Sequence, residues 1–587
     1  MKKQLEETIK KNVLSCFEKH DFNASWKEQS NQYYNEAIEY GKKTGIKDKD
    51  VEETSDLLLE SLKATSKKHP VATTILSIHY TLCLNTILSR WDHKNEEVRK
   101  IIDELLNFKY VGAYLASELG YGVNIKNMST TATYNRKKKG FILNSNGDLG
   151  KKFMPNVGNE NIGRYACVLS RVLDDEGNEF GIHPIIVKIR HLNGKTAQGI
   201  KVECLGASSG FQLDNAVTSF ENVFVKENMA LLNGYVEINE GKLVRVTNKS
   251  DTEIFNDSVS SIDKGKVSFC YSGYEHNFAG AAIAYYYAKH KNTFTPGNKH
   301  TPLIELKNVY SDIIQTAVTG LVCEKNIQKS IQSIRDNKSH KNINSHAVNA
   351  TKIFNVETTE SNLLKMRDRT GSQGFMSSNN LIDYIICYFG LKTAEGCNEV
   401  LSIKIGSDCL RGKENLVSTR KSLRPIKINL KKDNSQNVLE YLYTRKKAKL
   451  KRKIAVLKLK NLTNEDIYKR TIEDIKSLGK LYVDSWVVNV AQEIHSNCVN
   501  PKLLKKYFGL LMYKKHYKAL LEEKSVNAKN ISKIEKEMDK IEVDISENLD
   551  YLIKEIEPDF DLLQTSINPK GFESSYLEKE SNLKVVA

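Results

Sequence analysis

The spacing of apolar residues along this 587-residue chain changes twice, and those changes constrain the fold more than any composition figure. Over residues 1–115 apolar side chains recur every three to four positions, as in VEETSDLLLESLKAT and VRKIIDELLNF, the period of helices that each bury one face. Residues 116–236 switch to short β-branched runs, among them STTATYN, GFILNS, YACVLSRVL, IHPIIVKIR and IKVEC, punctuated by Gly, Asn and Asp. Helical spacing returns over 237–410, with a Lys- and Asn-rich loop near 337–349. A polar linker broken by Pro425 is expected over 411–435, and further helices over 436–587. The expected architecture is α+β and multidomain: helices, a β domain, a helical domain and a second helical domain.

Ten cysteines are scattered without a C-x-x-C pair, which argues against a zinc ribbon or a disulfide framework and for free thiols in a reducing compartment. No two of the thirteen histidines stand at i, i+4, so no metal site is expected. The N-terminal MKKQLEETIKKNVL alternates charges where a secretory signal needs an apolar core. The longest small and apolar run, Ala279 to Ala288, is too short to cross a bilayer, so no membrane span is expected. A cytoplasmic location follows from these readings. P-loop and H-E-x-x-H motifs are both missing. The net charge of +16 suits a polyanionic partner without choosing one. Its densest part, RKKAKLKRK from Arg445 to Lys453, reads first as a solvated helix face, with a nucleic-acid or membrane patch as the alternative. Tyr285 to Tyr287 reads as core packing or a subunit contact.

The Gly-rich stretch from Glu118 to Asn124, ELGYGVN, lacks the third glycine of a dinucleotide fingerprint and by itself reads as a turn. Its neighbours give it meaning. ASELGYGVNIKNMSTTATYN is followed by GFILNS and by Phe153-Met154-Pro155; later come GIKVECLGASSGFQLDN with FVKENM, then RDRTGSQGFMSSNNLIDY with TAEGCNEV. Three blocks in this order, covering about residues 110–410, resemble the acyl-CoA oxidases of the acyl-CoA dehydrogenase superfamily, in their bacterial form. The resemblance implies an N-terminal helical domain, a central antiparallel β domain, a helical bundle carrying a catalytic glutamate, and the extra C-terminal helical domain of oxidases. The C-terminal LKVVA departs from the peroxisomal address of many such enzymes.

The resemblance also implies a chemistry: FAD-dependent desaturation of an acyl thioester to the trans-2-enoyl thioester, with O2 reduced to H2O2. Glu395, in the A-E-G turn, is then the base for the α-proton, and Gly396 lets backbone approach the substrate. Ser117 stands where the family has Thr and can bond the flavin edge. Gly122, Met154, Pro155 and Asn156 line the expected isoalloxazine pocket; Met154 replaces a common Trp, and Asn156 a Gly or Thr. Lys291 and Phe294 fall on the pyrophosphate motif, with Lys for Arg. Gly371, Gln373 and Gly374 are implied to approach FAD from a partner subunit, and Cys397 replaces an acidic residue. Val225 likewise stands where the family usually has proline. The implied partner is an acyl-CoA or acyl-carrier-protein thioester, and the implied assembly a homodimer, with a mixed oligomer as the alternative. Three alternatives stay open: a dehydrogenase using another electron acceptor, a degenerate member acting as a binding or structural subunit, and a DNA-binding flavoprotein, although nucleic acid is not the expected partner.

Overall fold

The computed structural model describes residues 2–17, 24–208, 212–297, 299–336, 345–413, 425–430 and 433–571. Most of the expected linker, the first part of the Lys- and Asn-rich loop and the LKVVA terminus lie outside the described residues; where description resumes at Ser345 the chain is already helical. Two compact units form, Met1–Ser272 with Ile334–Ile343, and Gly273–Ser333 with Asn344–Ala587.

The first unit opens with helices Lys2–Cys16, Trp26–Thr44, Asp56–Lys68 and Glu96–Leu106. Ser25 starts the second of these with a capping box: its hydroxyl accepts from Glu28 N, and the Glu28 carboxylate accepts from Ser25 N. Pro70 begins a helical stretch to Leu88 that contains a π-helical turn, Ile78–Leu84. By length and hydropathy this 19-residue stretch could cross a membrane, which the sequence reading overlooked in favour of Ala279–Ala288. Its most apolar 18-residue window is 89% buried, as expected of a core helix.

Strands follow as β1 (Val111–Leu115), β2 (Thr131–Asn135), β3 (Gly140–Asn144), β4 (Lys152–Asn156), β5 (Arg164–Leu173), β6 (Glu179–Arg190), β7 (Ile200–Cys204), β8 (Asn215–Phe220) and β9 (Val223–Lys226). One sheet runs β1-β5-β2-β3-β9 with β6 along β5, and a second runs β4-β8-β7. The larger sheet is mixed, not antiparallel as expected, because β1 and β2 both lie parallel to β5. Ten-residue β5 is long enough to take β1 against its first half and β2 against its end, and both reach it by crossovers, which permit parallel pairing. Val225, opposite Phe141, joins the β3–β9 ladder. The β texture runs past residue 236 into a hairpin, Val236–Asn239 with Lys242–Arg245, before helices resume at Asp251.

In the second unit, helices Glu275–His290, Ser345–Arg369 and most of Lys307–Asp336 share a buried polar ladder. Asn277 Nδ2 donates to Thr359 at 2.8 Å, Asn362 Nδ2 to Asn277 and Thr319 at 2.8 Å each, and Asn326 to Asn355 at 3.1 Å. Helices Asn398–Leu410 and Asn464–Ala491 meet backbone to backbone. A Cβ on Gly406 would stand 2.0 Å from the Ile475 carbonyl oxygen, and one on Gly479 1.9 Å from that of Ser402. Glycine at both positions therefore seats the helix that follows Glu395 directly on a helix from the C-terminal part of the chain.

Candidate active site

Ser117, Gly122, Met154, Pro155 and Asn156 belong to the first unit, and the other expected site residues to the second. In the first unit, Phe153 N donates to the Ser117 carbonyl at 3.0 Å, so the segment after β1 runs beside β4. Beneath them lies a buried ion pair that sequence reading missed. Lys152 Nζ donates to Glu118 Oε1 at 3.0 Å, to Leu169 O at 2.8 Å and to Ala116 O at 3.3 Å. The Glu118 carboxylate also accepts from Ser129 N at 2.7 Å and Thr130 N at 3.0 Å. Burial would raise the Glu118 carboxyl, but Lys152 and these hydrogen bonds hold it below its usual value; burial brings the Lys152 ammonium down to about 8 against the pull of Glu118. The pair staples the Ser117 and Met154 segments together.

A bulge between Phe153 and Asn156 interrupts the β4–β8 register, and Met154 is left 48% exposed. Ser117 is half-buried. Asn156 is buried, and its Nδ2 donates to Tyr34 Oη at 3.1 Å. Tyr34 donates in turn to Asp214, which pairs with Arg164 at 2.9 Å. Asn156 thus anchors an internal network of the first unit. Pro155 is buried beside it, while Gly122 sits in an exposed turn with φ 46°.

In the second unit, helix Leu381–Leu391 leads into the turn that carries Glu395, Gly396 and Cys397, and helix Asn398–Leu410 leaves it. Glu395 has φ 54° and Gly396 φ 99°, so two consecutive residues adopt left-handed backbone. Both carboxylate oxygens of Glu395 are buried. Glycine at 396 spares the turn the cost of a side chain at that φ. Helix Ser345–Arg369 fixes the turn from outside: buried Lys352 donates from Nζ to Gly396 O at 2.7 Å and to Lys392 O at 3.4 Å, Lys392 pairs with Glu360, and Asn398 Nδ2 donates to Ile353 O at 3.4 Å. Lys352, 3% exposed, escaped the sequence reading because a lysine in a polar helix reads as solvated. Lys352→Met strips the Gly396 carbonyl of this donor; a loss of about 1–3 kcal/mol in the second unit is expected, read as a lower unfolding midpoint.

Cys397 occupies the N-cap of helix Asn398–Leu410 and makes no side-chain cap bond, the role an acidic residue would take there. Gly371 has φ 55° in a separate turn. A Cβ on Gly371 would lie 3.2 Å from Tyr287 Oη, so the Gly371 turn lies against Tyr287 of helix Glu275–His290, whose C-cap Lys291 leads into the hairpin of Asn292–Thr295, which holds Phe294, with Lys299–Pro302. Gly374 serves its own turn: a Cβ there would collide with Thr370 Oγ1 at 2.2 Å and Arg367 O at 2.4 Å. Gln373 O accepts from Met376 N at 3.1 Å. Phe294 and Phe375 are 70% and 69% exposed. Tyr285 and Tyr286 donate to Asp550 and Glu557 at 2.6 Å each, so the tyrosine run packs against the C-terminal helices.

No family profile matches the chain. In sequence it is 23% identical over 340 residues to a peroxisomal acyl-coenzyme A oxidase 1 of Bos taurus, and 22% identical over 352 residues to acyl-coenzyme A oxidase 2 of Arabidopsis thaliana. Each match covers half of that relative, so the similarity spans about half the length of the curated proteins it reaches. In structure it superposes on the tomato acyl-CoA oxidase LeACX1 with TM-score 0.80 at 17% identity, over 99% of this chain and 92% of that one. Acyl-CoA oxidase 1 of Yarrowia lipolytica gives TM-score 0.82 at 15% identity over 99% and 92%. Acyl-CoA oxidase-1 of Caenorhabditis elegans, solved with FAD and ATP, gives 0.83 at 14% over 98% and 90%. The chain therefore has the α+β fold of the acyl-CoA oxidases along nearly its whole length and is a distant sequence relative of those enzymes.

Proposed function

We propose that this protein is an acyl-CoA oxidase that binds FAD and removes the α-proton of an acyl thioester with Glu395. The observation that carries the reading is the 395–396 turn. A carboxylate with buried oxygens stands on two successive left-handed residues, braced by Lys352, an arrangement whose strain suits a site that holds one carboxylate in one place. FAD, when bound, supplies the acceptor for the β-hydrogen, and dioxygen the final oxidant. Ser117 and the exposed Met154 fit the flavin ring, and Lys291 with Phe294 the phosphate-bearing part. Glu395 holds the α-proton once removed, and the Glu395 backbone N–H is the proposed donor to the thioester oxygen. Exposed Phe375 and Met376, beside the Gly371–Gly374 turn, support a homodimer in which that turn completes the partner's cofactor site.

The visible spectrum of the purified protein tests the reading. A flavin band that bleaches with acyl-CoA under nitrogen, and returns in air with release of H2O2, is the expected result. A colourless protein after incubation with FAD sinks it. Bleaching that air fails to reverse points to a dehydrogenase with a different acceptor.

A further inference from the structure

Helices Ser435–Leu459 and Asn464–Ala491 form a hairpin joined by residues 460–463. The basic run of Arg445 to Lys453 divides into paired and unpaired cations. Four are neutralised: Arg445 and Lys449 pair with Glu523, and Lys446 and Lys453 with Asp474. Lys451 and Arg452, with Lys458 and Lys460 nearer the tip, are exposed and make no ion pair among the described residues. Apolar side chains stand uncovered among them: Leu459 is 83% exposed, Val456 51% and Tyr468 45%. At 3.6 residues per turn, Arg452, Val456 and Leu459 share one face, with Lys451 and Lys458 on one flank and Lys453 and Lys460 on the other.

The water-facing side of an amphipathic helix is normally charged and polar, and a phosphodiester backbone asks only for the cations. An apolar stripe between lysines matches a different surface. In an anionic bilayer interface the aliphatic groups enter the acyl boundary while lysine stems reach up to the phosphates. We propose that the tip of this hairpin docks the protein on anionic phospholipid, with Val456 and Leu459 inserted and Lys451, Arg452, Lys458 and Lys460 around them. This surface stands independently of the proposed oxidase chemistry, which uses none of these residues.

Cosedimentation of the full-length protein with vesicles of phosphatidylcholine alone, and of phosphatidylcholine with phosphatidylglycerol, tests it. Binding is expected to the anionic vesicles only, falling steeply between about 0.1 M and about 1 M salt as the screening length shrinks from about 10 Å to about 3 Å. The pair Val456→Ser and Leu459→Ser, and separately Lys451→Gln with Arg452→Gln, should each weaken binding on the order of tenfold. All four side chains are solvent-exposed, so an unchanged unfolding midpoint identifies the loss as one of docking. Equal binding to neutral vesicles, no binding at low salt, or binding indifferent to the serine pair would overturn the proposal. Two further results would replace it: salt-dependent binding to duplex DNA that survives the serine pair, in favour of nucleic acid, and a halved solution mass for the serine pair without vesicle binding, in favour of a second copy of the chain.

Discussion

Glu395→Gln is expected to lower the rate of substrate-induced flavin bleaching by about 10²–10⁴-fold, the range for removing a positioned general base. Glutamine keeps the length and volume of the side chain, and a residue at φ 54° gains no new strain from the exchange. Flavin content and the unfolding midpoint should therefore match the parent, and KM should move little, because an interaction used only in proton transfer acts on kcat. Stopped-flow bleaching under nitrogen separates this step from reoxidation by air. A variant that bleaches as fast as the parent would remove Glu395 from the mechanism while leaving the flavin assignment intact. Gly396→Ala provides the complementary perturbation. At φ 99° the added Cβ is strained and lies 3.2 Å from Leu401 Cδ2, so the turn shifts and rate falls through misplacement of an intact carboxylate.

The stretches from which sequence reading drew most were those whose local chemistry and final environment agree. β-Branched runs between Gly, Asn and Asp became strands β2, β3 and β5, and the TAEGCNEV turn became a left-handed pair of residues whose geometry needs the glycine. Polar groups that the fold buries were illegible. Glu118 and Lys152 lie 34 positions apart, and nothing local says that they meet as a buried pair under the Ser117 and Met154 segments. Asn277, Thr359 and Asn362 dilute the apolar stripe of their helices with residues that read as surface, yet they satisfy one another inside the bundle. Parallel pairing of β1 and β2 with β5 depends on crossovers, a long-range property that alternation within a strand does not encode. The Asn156 contact was illegible for a similar reason: its partner Tyr34 comes from a helix 122 positions earlier.

The two units should respond to acid in opposite directions between about pH 6 and about pH 4, and histidine burial in the first unit sets the larger effect. His79 and His183 are completely buried. His79 Nδ1 accepts from Gly112 N at 2.9 Å, with its ring stacked 4.3 Å from that of Phe108; His183 Nε2 lies 3.1 Å from the Phe180 carbonyl. Burial first, and then the positive charges of Arg164 and Arg90 respectively, bring both rings from 6.5 down to about 3. Between those values the unfolded chain binds protons that the folded unit refuses, so stability is complete above about 6.5 and drains as pH falls toward about 3. At pH 5 the loss is about 2 kcal/mol for each histidine, or about 4 kcal/mol together, a large part of a typical domain's stability. In the second unit burial pushes the Asp383 carboxyl up to about 6, so folding there gains on acidification through that window. Asp484 is raised by burial but pulled down to about 2 by Lys515 and His516, and its contribution is lost only below about pH 4. Hydrogen exchange of the intact protein at pH 7 and pH 5 resolves the units: protection of β1 and β5 should fall by about three orders of magnitude for the 4 kcal/mol, while that of helices Leu381–Leu391 and Asn464–Ala491 holds or rises. His79→Gln keeps an acceptor for Gly112 N and removes the titration, so it should recover about half of the acid loss in the first unit. An unchanged pH slope in that variant would show that the acid response lies elsewhere.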